Sequence, residues 1–297
     1  MRTLAVLFAS AVVSLGHVAG ASAMDKDVAR RVALGGSCPG CEFSGRQLVG
    51  ANFMGGNFVN AALVGTDLRG AKVMGSTFNG ADFTRADLRG ASVVAASFVN
   101  ANFSNAQLEG VEAQGANFSG ANLTGARLKS STMEAAVFTN ARLGGAQFHS
   151  ASLEGARLNG VQAQGADFSD AGLDASDFTN ARLQHASFRN AELHGARFAG
   201  AQLDGADFHG AELEAADLRN TDLSGVHGLT QDQLDDACLS GPMRLPPGLK
   251  ARGCSQVAMH APPVHIHIPR IDVHASGVDI HVPGRDVHVS DGDEGPR

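Results

Sequence analysis

Twelve His, four Cys and 30 Asp or Glu are the residues of this 297-residue chain that could ligate a metal, form disulfides or move protons. Six of the His lie in residues 255–297, and five of these, His260, His267, His274, His281 and His288, keep a strict period of seven. Asp272, Asp279 and Asp286 keep the same period two residues ahead of their His. The unit reads Asp-(Ile/Val)-His-(Val/Ala)-x-x-x, with Pro269 and Pro283 in its turn portion. Neutral imidazole beside carboxylate suits Zn, Cu or Ni, so divalent-metal capture at these five His is one expectation. Within one extended segment the Asp and its His project from the same side. Seven is odd, however, so one straight strand would set successive His on opposite faces. Short strands joined by three-residue turns would bring them together. The competing expectation is a low-complexity extended tail, with its Val and Ile loosely packed or disordered.

Other chemistry is poorly supported. Glu42 rather than His follows Cys38-x-x-Cys41, which excludes haem attachment, and no βαβ pattern surrounds the pair to suggest a thioredoxin-like redox role. There is no G-x-S-x-G, no phosphate-cradling loop and no sign of a cleft. The reading is a non-enzyme without a resident cofactor. His149, His185, His194 and His209 fall at scattered positions and read as solvated surface.

The chain has no Trp and no Tyr, so it lacks the aromatic mixture that stacks bases or sugars. Net charge is −7 and the pI is about 5.9, against a nucleic-acid partner bound by phosphate neutralisation. With 43% apolar residues it is too apolar to be disordered throughout. Residues 1–23 read as a signal peptide, with Arg2, an apolar run from Leu4 to Leu15, and Ala21-Ser22-Ala23 as a small-x-small cleavage site. That run is too short to remain in a bilayer, and no later segment is a transmembrane candidate. The mature chain is therefore expected to be exported, periplasmic or extracellular, where disulfides are allowed.

What must position these groups is a repeat of five. From Phe43 to Leu223 every fifth residue is apolar, 37 positions filled by 17 Leu, 15 Phe, 2 Val, 2 Ala and 1 Met. Two residues before each centre sits a small residue, Ala in 27 of the 37 cases, and Gly or Asn crowds the last place of the unit. Neither a helix nor an alternating strand has this period. The centre and the small residue would point inward and the other three outward, with the corner at Gly or Asn, which tolerate left-handed backbone. Arg46 violates the small-residue rule in the second unit.

Segments such as Ala81-Asp82-Phe83, Ala116-Asn117-Phe118-Ser119-Gly120 and Ala166-Asp167-Phe168 resemble the pentapeptide repeat family, in register over residues 41–225. The resemblance implies an all-β fold, a right-handed quadrilateral β-helix with four units to a coil and no enclosed cavity. The residues offer their own check. Every fourth centre gives Phe58, Phe78, Phe98, Phe118, Phe138, Leu158, Phe178 and Phe198, and the last places of those units alternate from Asn60 and Gly80 to Gly200 and Asn220. Thirty-seven units make about nine coils, and at about 4.8 Å per coil a rod roughly 44 Å long.

Such a rod exposes strand edges at both ends and needs caps. Residues 24–40 are the expected N-terminal cap, with a short helix over 25–34. Residues 226–254 are the expected C-terminal cap, where Thr230-x-x-Gln233 reads as a capping box. Residues 255–297 are the His-rich tail. Of the three pairings open to four Cys, the rod length leaves Cys38–Cys41 and Cys238–Cys254. The second is the better-placed disulfide, while Cys41, in an inward small-residue slot, is alternatively a buried thiol.

A filled rod offers faces rather than pockets, so the expected function is a non-enzymatic exported scaffold that binds an unidentified protein partner. Residues 166–225 carry 11 Asp or Glu against 4 Arg, whereas 41–165 carry 8 acids and 9 bases. This asymmetry points to a basic partner on the C-terminal coils, at Asp204, Asp207, Glu212 and Glu214. The resemblance carries one further implication: some cytoplasmic members mimic DNA and inhibit gyrase. The signal segment places this chain in the wrong compartment for that role.

Overall fold

The computed structural model describes residues 36–241 and 243–251, together with the backbone of residues 270–274, 277–282 and 285–290. The expected signal segment 1–23, the helix expected over 25–34, Cys254, His260 and His267 lie outside the described residues.

Each unit of five makes one short β-bridge and one turn. The bridging residue pairs in parallel with the residue 20 further on, in every unit from Glu42↔Ala62 to Asp207↔His227. Four units therefore close one coil of a β-helix. Between coils the centre N–H donates to the carbonyl above, as Phe118 to Val137 O at 2.7 Å, and the bridge N–H donates below, as Asn117 to Ala96 O at 2.9 Å. Within a unit the chain turns by a bond from the next unit's first N–H, as Ala121 to Phe118 O at 3.0 Å. The last residue of the unit takes φ near +60°, for example 57° at Asn60 and 66° at Gly120. That is the left-handed region, where Gly and Asn cost least.

The Asn/Gly alternation has a steric cause. A Cβ added to Gly80, Gly120, Gly160 or Gly200 would lie within 2.6 Å of the side-chain oxygen of Asn60, Asn100, Asn140 or Asn180, one coil earlier. Each Asn thus fills the space above the next corner, and a residue without a side chain follows it. On the adjoining edge Asp170 and Asn190 do succeed one another, linked by a 3.1 Å hydrogen bond from Asn190 Nδ2.

The interior is solid. Phe58, Phe78, Phe98, Phe118, Phe138, Phe178 and Phe198 are 0–1% exposed. Their rings stack coil on coil, with centroids 5.1 Å apart for Phe98–Phe118 and again for Phe118–Phe138. Shorter columns such as Phe168–Phe188–Phe208 run on the adjoining side, crossing the first edge to face. In two units the large and small places are exchanged. Val111 precedes Ala113 and Val161 precedes Ala163, all four fully buried, so each unit keeps its volume. Thr66, Ser76, Ser131 and Thr221 in small slots bond backbone, as Thr66 Oγ1 to Phe43 O at 2.9 Å and Thr221 Oγ1 to Phe198 O at 3.0 Å, whereas the buried Ser176 Oγ finds no partner. Arg46 is half-buried near the start of the array.

After the last units a short helix, α1 (Gln231–Asp236), begins with the capping box between Thr230 and Gln233. Gln233 Nε2 also donates to Phe208 O and Ala211 O, at 3.0 and 2.7 Å, satisfying carbonyls of the final coils. Leu234, Ala237 and Leu239 continue the core, and Asp217 bridges Cys238 in parallel. No helix among the described residues is long and apolar enough to cross a membrane.

Three strands follow, β1 (Arg270–His274), β2 (Gly277–Val282) and β3 (Arg285–Ser290), in an antiparallel sheet of order β1-β2-β3.

Candidate functional site

The 20-residue coil sorts the outward residues into four sides. The first side starts with unit 41–45, the second with 46–50, the third with 51–55 and the fourth with 56–60, each recurring every 20 residues. Outward residues one coil apart stand about 4.8 Å from each other, so each side is a ladder whose rungs interact.

The first side is largely a hydrogen-bond ladder. Asn102 Nδ2 donates to Thr84 Oγ1 at 2.7 Å, and Asn122 Nδ2 donates to Ser104 Oγ at 2.7 Å. On the second side acids and bases alternate and neutralise each other. Arg69 bonds Asp67 at 2.7 Å, Arg89 bonds Asp87 at 2.6 Å, Arg127 bonds Glu109 at 2.8 Å and Arg189 bonds Asp207 at 2.8 Å. The Arg69 and Arg89 guanidinium hydrogen bonds hold Asp67 and Asp87 below the usual carboxylate range. Partial burial pushes Asp207 up, but bonds from His209 and Arg189 outweigh it and bring its pKa down to about 2. The fourth side pairs Arg197 with Asp177 at 2.5 Å and Arg219 with Asp217 at 2.7 Å. Such exposed pairs each stabilise little, about 0–1 kcal/mol, and their main consequence is a cancelled surface charge.

The third side differs. It carries Glu112, Glu134, Glu154, Asp174, Glu192, Glu212 and Glu214, and after Lys72 it has no Lys or Arg. Its one base is His194, whose Nδ1 lies 2.9 Å from Asp174 and Nε2 3.0 Å from Glu212. Partial burial pushes the His194 pKa down, but its bond to Asp174 and the charges of Asp174, Glu212 and Glu214 overcome this, leaving it raised above 6.5. Ser152 Oγ sits 2.9 Å from Glu134 Oε1 and 2.6 Å from Glu154 Oε2, with one proton to give. Unit charges about 5 Å apart repel by about 0.8 kcal/mol even in water. The column therefore holds electrostatic free energy that a cationic ligand would release.

The four acids expected to form a partner face are not brought together. Asp204 lies on the first side, Asp207 on the second, and Glu212 and Glu214 on the third. Asp207 is in addition neutralised by Arg189. Neighbours on this surface are 20 residues apart, so acids close along the chain fall on different sides. His194 is likewise not the solvated surface group its position suggests, since two carboxylates clamp it. Asp204 and Asp222 line a shallow depression of about 450 Å³ on the first side, with Gln184, Gln202 and Ser224.

Cys38 and Cys41 are disulfide-bonded, with Cα atoms 5.5 Å apart, near the start of the array. Cys238 is also engaged in a disulfide; Cys254, its expected partner, lies outside the described residues.

Of the five His expected to hold a metal, His274, His281 and His288 fall in the sheet, with two residues rather than three between successive strands. The register sets His281 opposite Arg270 and Asp286, His288 opposite Asp279, and His274 opposite Gly277. Of the three described, His281 and His288 both fall in the β2–β3 pairing, and His274 stands apart, opposite Gly277. Among the residues whose side chains are described, no group of three or more His, Cys, Asp or Glu stands close enough to hold a metal ion.

The family description "Pentapeptide repeats" matches residues 40–70, 70–105, 171–210 and 186–225, and "Pentapeptide repeat region" matches 92–168. Solved structures similar to this chain include HetL, a pentapeptide repeat protein involved in heterocyst differentiation regulation from the cyanobacterium Nostoc sp. strain PCC 7120. It is 24% identical over 64% of this chain and 95% of its own, with a TM-score of 0.32. QnrB1, a plasmid-mediated fluoroquinolone resistance protein, is 24% identical over 61% of this chain and 91% of its own, with a TM-score of 0.34. A pentapeptide repeat protein of the Arabidopsis thaliana thylakoid lumen is 35% identical over 36% of this chain and 71% of its own, with a TM-score of 0.29. No curated protein matches the chain.

Proposed function

Since the chain belongs to the pentapeptide repeat family, we propose that it is a non-enzymatic exported scaffold whose third side binds a basic protein partner. The observation that carries this reading is the column from Glu112 to Glu214, seven carboxylates with one imidazole, on a rod whose second and fourth sides pair their charges. A long single-sign strip with fixed spacing steers a cationic surface and sets its register along the rod. The rod is a right-handed quadrilateral β-helix of about nine coils, at 20 residues per coil over residues 41–225. On this reading residues 24–40 and 226–254 are its caps, and α1 closes the C-terminal end against growth by edge pairing. Residues 1–23 direct export, and residues 255–297 form a separate appendage.

A photo-cross-linking side chain tests the side. It is placed at Gln114 on the third side or at Thr139 on the fourth, in the chain expressed in its own cells. The expected result is a discrete cross-linked partner from position 114 and none from 139. Cross-linking from 139 alone, or equally from both, rejects the third side as the binding face.

A further inference from the structure

The tail carries a reading independent of the rod. In an antiparallel sheet, residues paired across strands and residues two apart along a strand occupy the same face. The registers Asp272↔Asp279, Asp279↔His288 and His281↔Asp286 therefore put every Asp and His of β1, β2 and β3 on one face, together with Arg270 opposite His281. The other face holds Ile and Val, with Arg285 its one charged residue.

The Asp-x-His unit of β2 pairs with that of β3 reciprocally, each His opposite the other strand's Asp. Asp279, His281, Asp286 and His288 are thus the corners of one patch, the two His on one diagonal and the two Asp on the other. Its short edge is about 5 Å and its diagonal about 7–8 Å, so its centre is about 4 Å from each corner position. Between β1 and β2 the units meet differently: Asp272 is paired directly with Asp279. Like charges in that relation destabilise a sheet, and a divalent cation beside Asp279 would add to the offset that Arg270 provides.

We propose that Asp279, His281, Asp286 and His288 form a divalent-metal site of zinc type on the polar face of β2 and β3. Two imidazoles with two carboxylates is a mixed N/O donor set suited to Zn²⁺. His274, paired with Gly277 at the far end of the face, is outside it.

The test is calorimetric titration of Zn²⁺ into the metal-stripped full chain. One ion should bind, and His281→Ala or His288→Ala should each weaken binding by roughly 100-fold or more, since even second-shell losses cost 10–100-fold. His260→Ala, His267→Ala and His274→Ala should leave the affinity within about threefold. To guard against variants that lose the sheet, ring carbon–proton spectra of the unaltered chain should show Zn²⁺ shifting His281 and His288 first. Absence of Zn²⁺ binding, loss on replacing His260, His267 or His274, or shifts confined to other His would each overturn the site.

Discussion

Replacing Phe118 by Ala should lower the stability of the rod by about 3–5 kcal/mol, the range for truncating a large buried aromatic. Phe118 is fully buried and stacks on Phe98 and Phe138 at 5.1 Å on either side, while Phe103 meets it edge on. The cavity left between the two flanking rings adds its own cost to the lost burial. Thr124 is exposed and its hydroxyl bonds its neighbour Asn122 at 2.7 Å, so Thr124→Ala should cost under about 0.5 kcal/mol. Denaturant titration of the two variants checks this. Equal costs would mean that the assignment of inside and outside is wrong.

Leu123→Ala should cost about 2–5 kcal/mol alone, and adding Ala121→Val should restore at least about 1 kcal/mol of it. The reason is the arrangement at Val111 with Ala113 and at Val161 with Ala163, where the small place has grown as the centre has shrunk. Ala121→Val by itself should destabilise by about 1–3 kcal/mol, because Ala121 and Leu123 are both fully buried and the slot is already full. A double-mutant cycle measures the coupling. Additive costs would show that the two places do not share one space.

The fold was legible because the chain states its geometry in arithmetic. A five-residue period with a small residue two before each centre admits few backbones, and the Phe column revealed the coil length. The alternation of Asn60, Gly80, Asn100 and Gly120 was visible too, but its cause needed the corner geometry that sets each Asn oxygen over the next Gly. The exchange at Val111 and Ala113 stands in the same letters, but a pattern of residue types hides the constant volume. The surface was less legible. Asp204, Asp207, Glu212 and Glu214 are close along the chain yet spread over three sides, whereas Glu134, Glu154 and Asp174, 20 residues apart, share one. The paired state of Asp67, Asp87 and Asp217 depends on an Arg two residues on, a local signal a charge count does not weigh. In the tail the period of seven placed the His, but the partner of each depends on turn length. A hairpin with two linking residues sets His281 and His288 on one diagonal and leaves His274 beside Gly277.

Charge on the rod is sorted by side, and the third side is the proposed face for a cationic partner. Fluorescence anisotropy of a labelled lysine-rich peptide tests it most directly, with the unaltered chain and two variants of equal net charge. One carries Glu134→Gln, Glu154→Gln and Asp174→Asn on the third side; the other carries Asp82→Asn, Asp167→Asn and Asp204→Asn on the first and second. The unaltered chain should bind the peptide and lose at least about tenfold in affinity between about 50 and 300 mM salt, as screening shortens the reach of the column. The third-side variant should lose most of that binding, and the other should keep it. Equal losses in the two variants, or binding that ignores salt, would contradict the account.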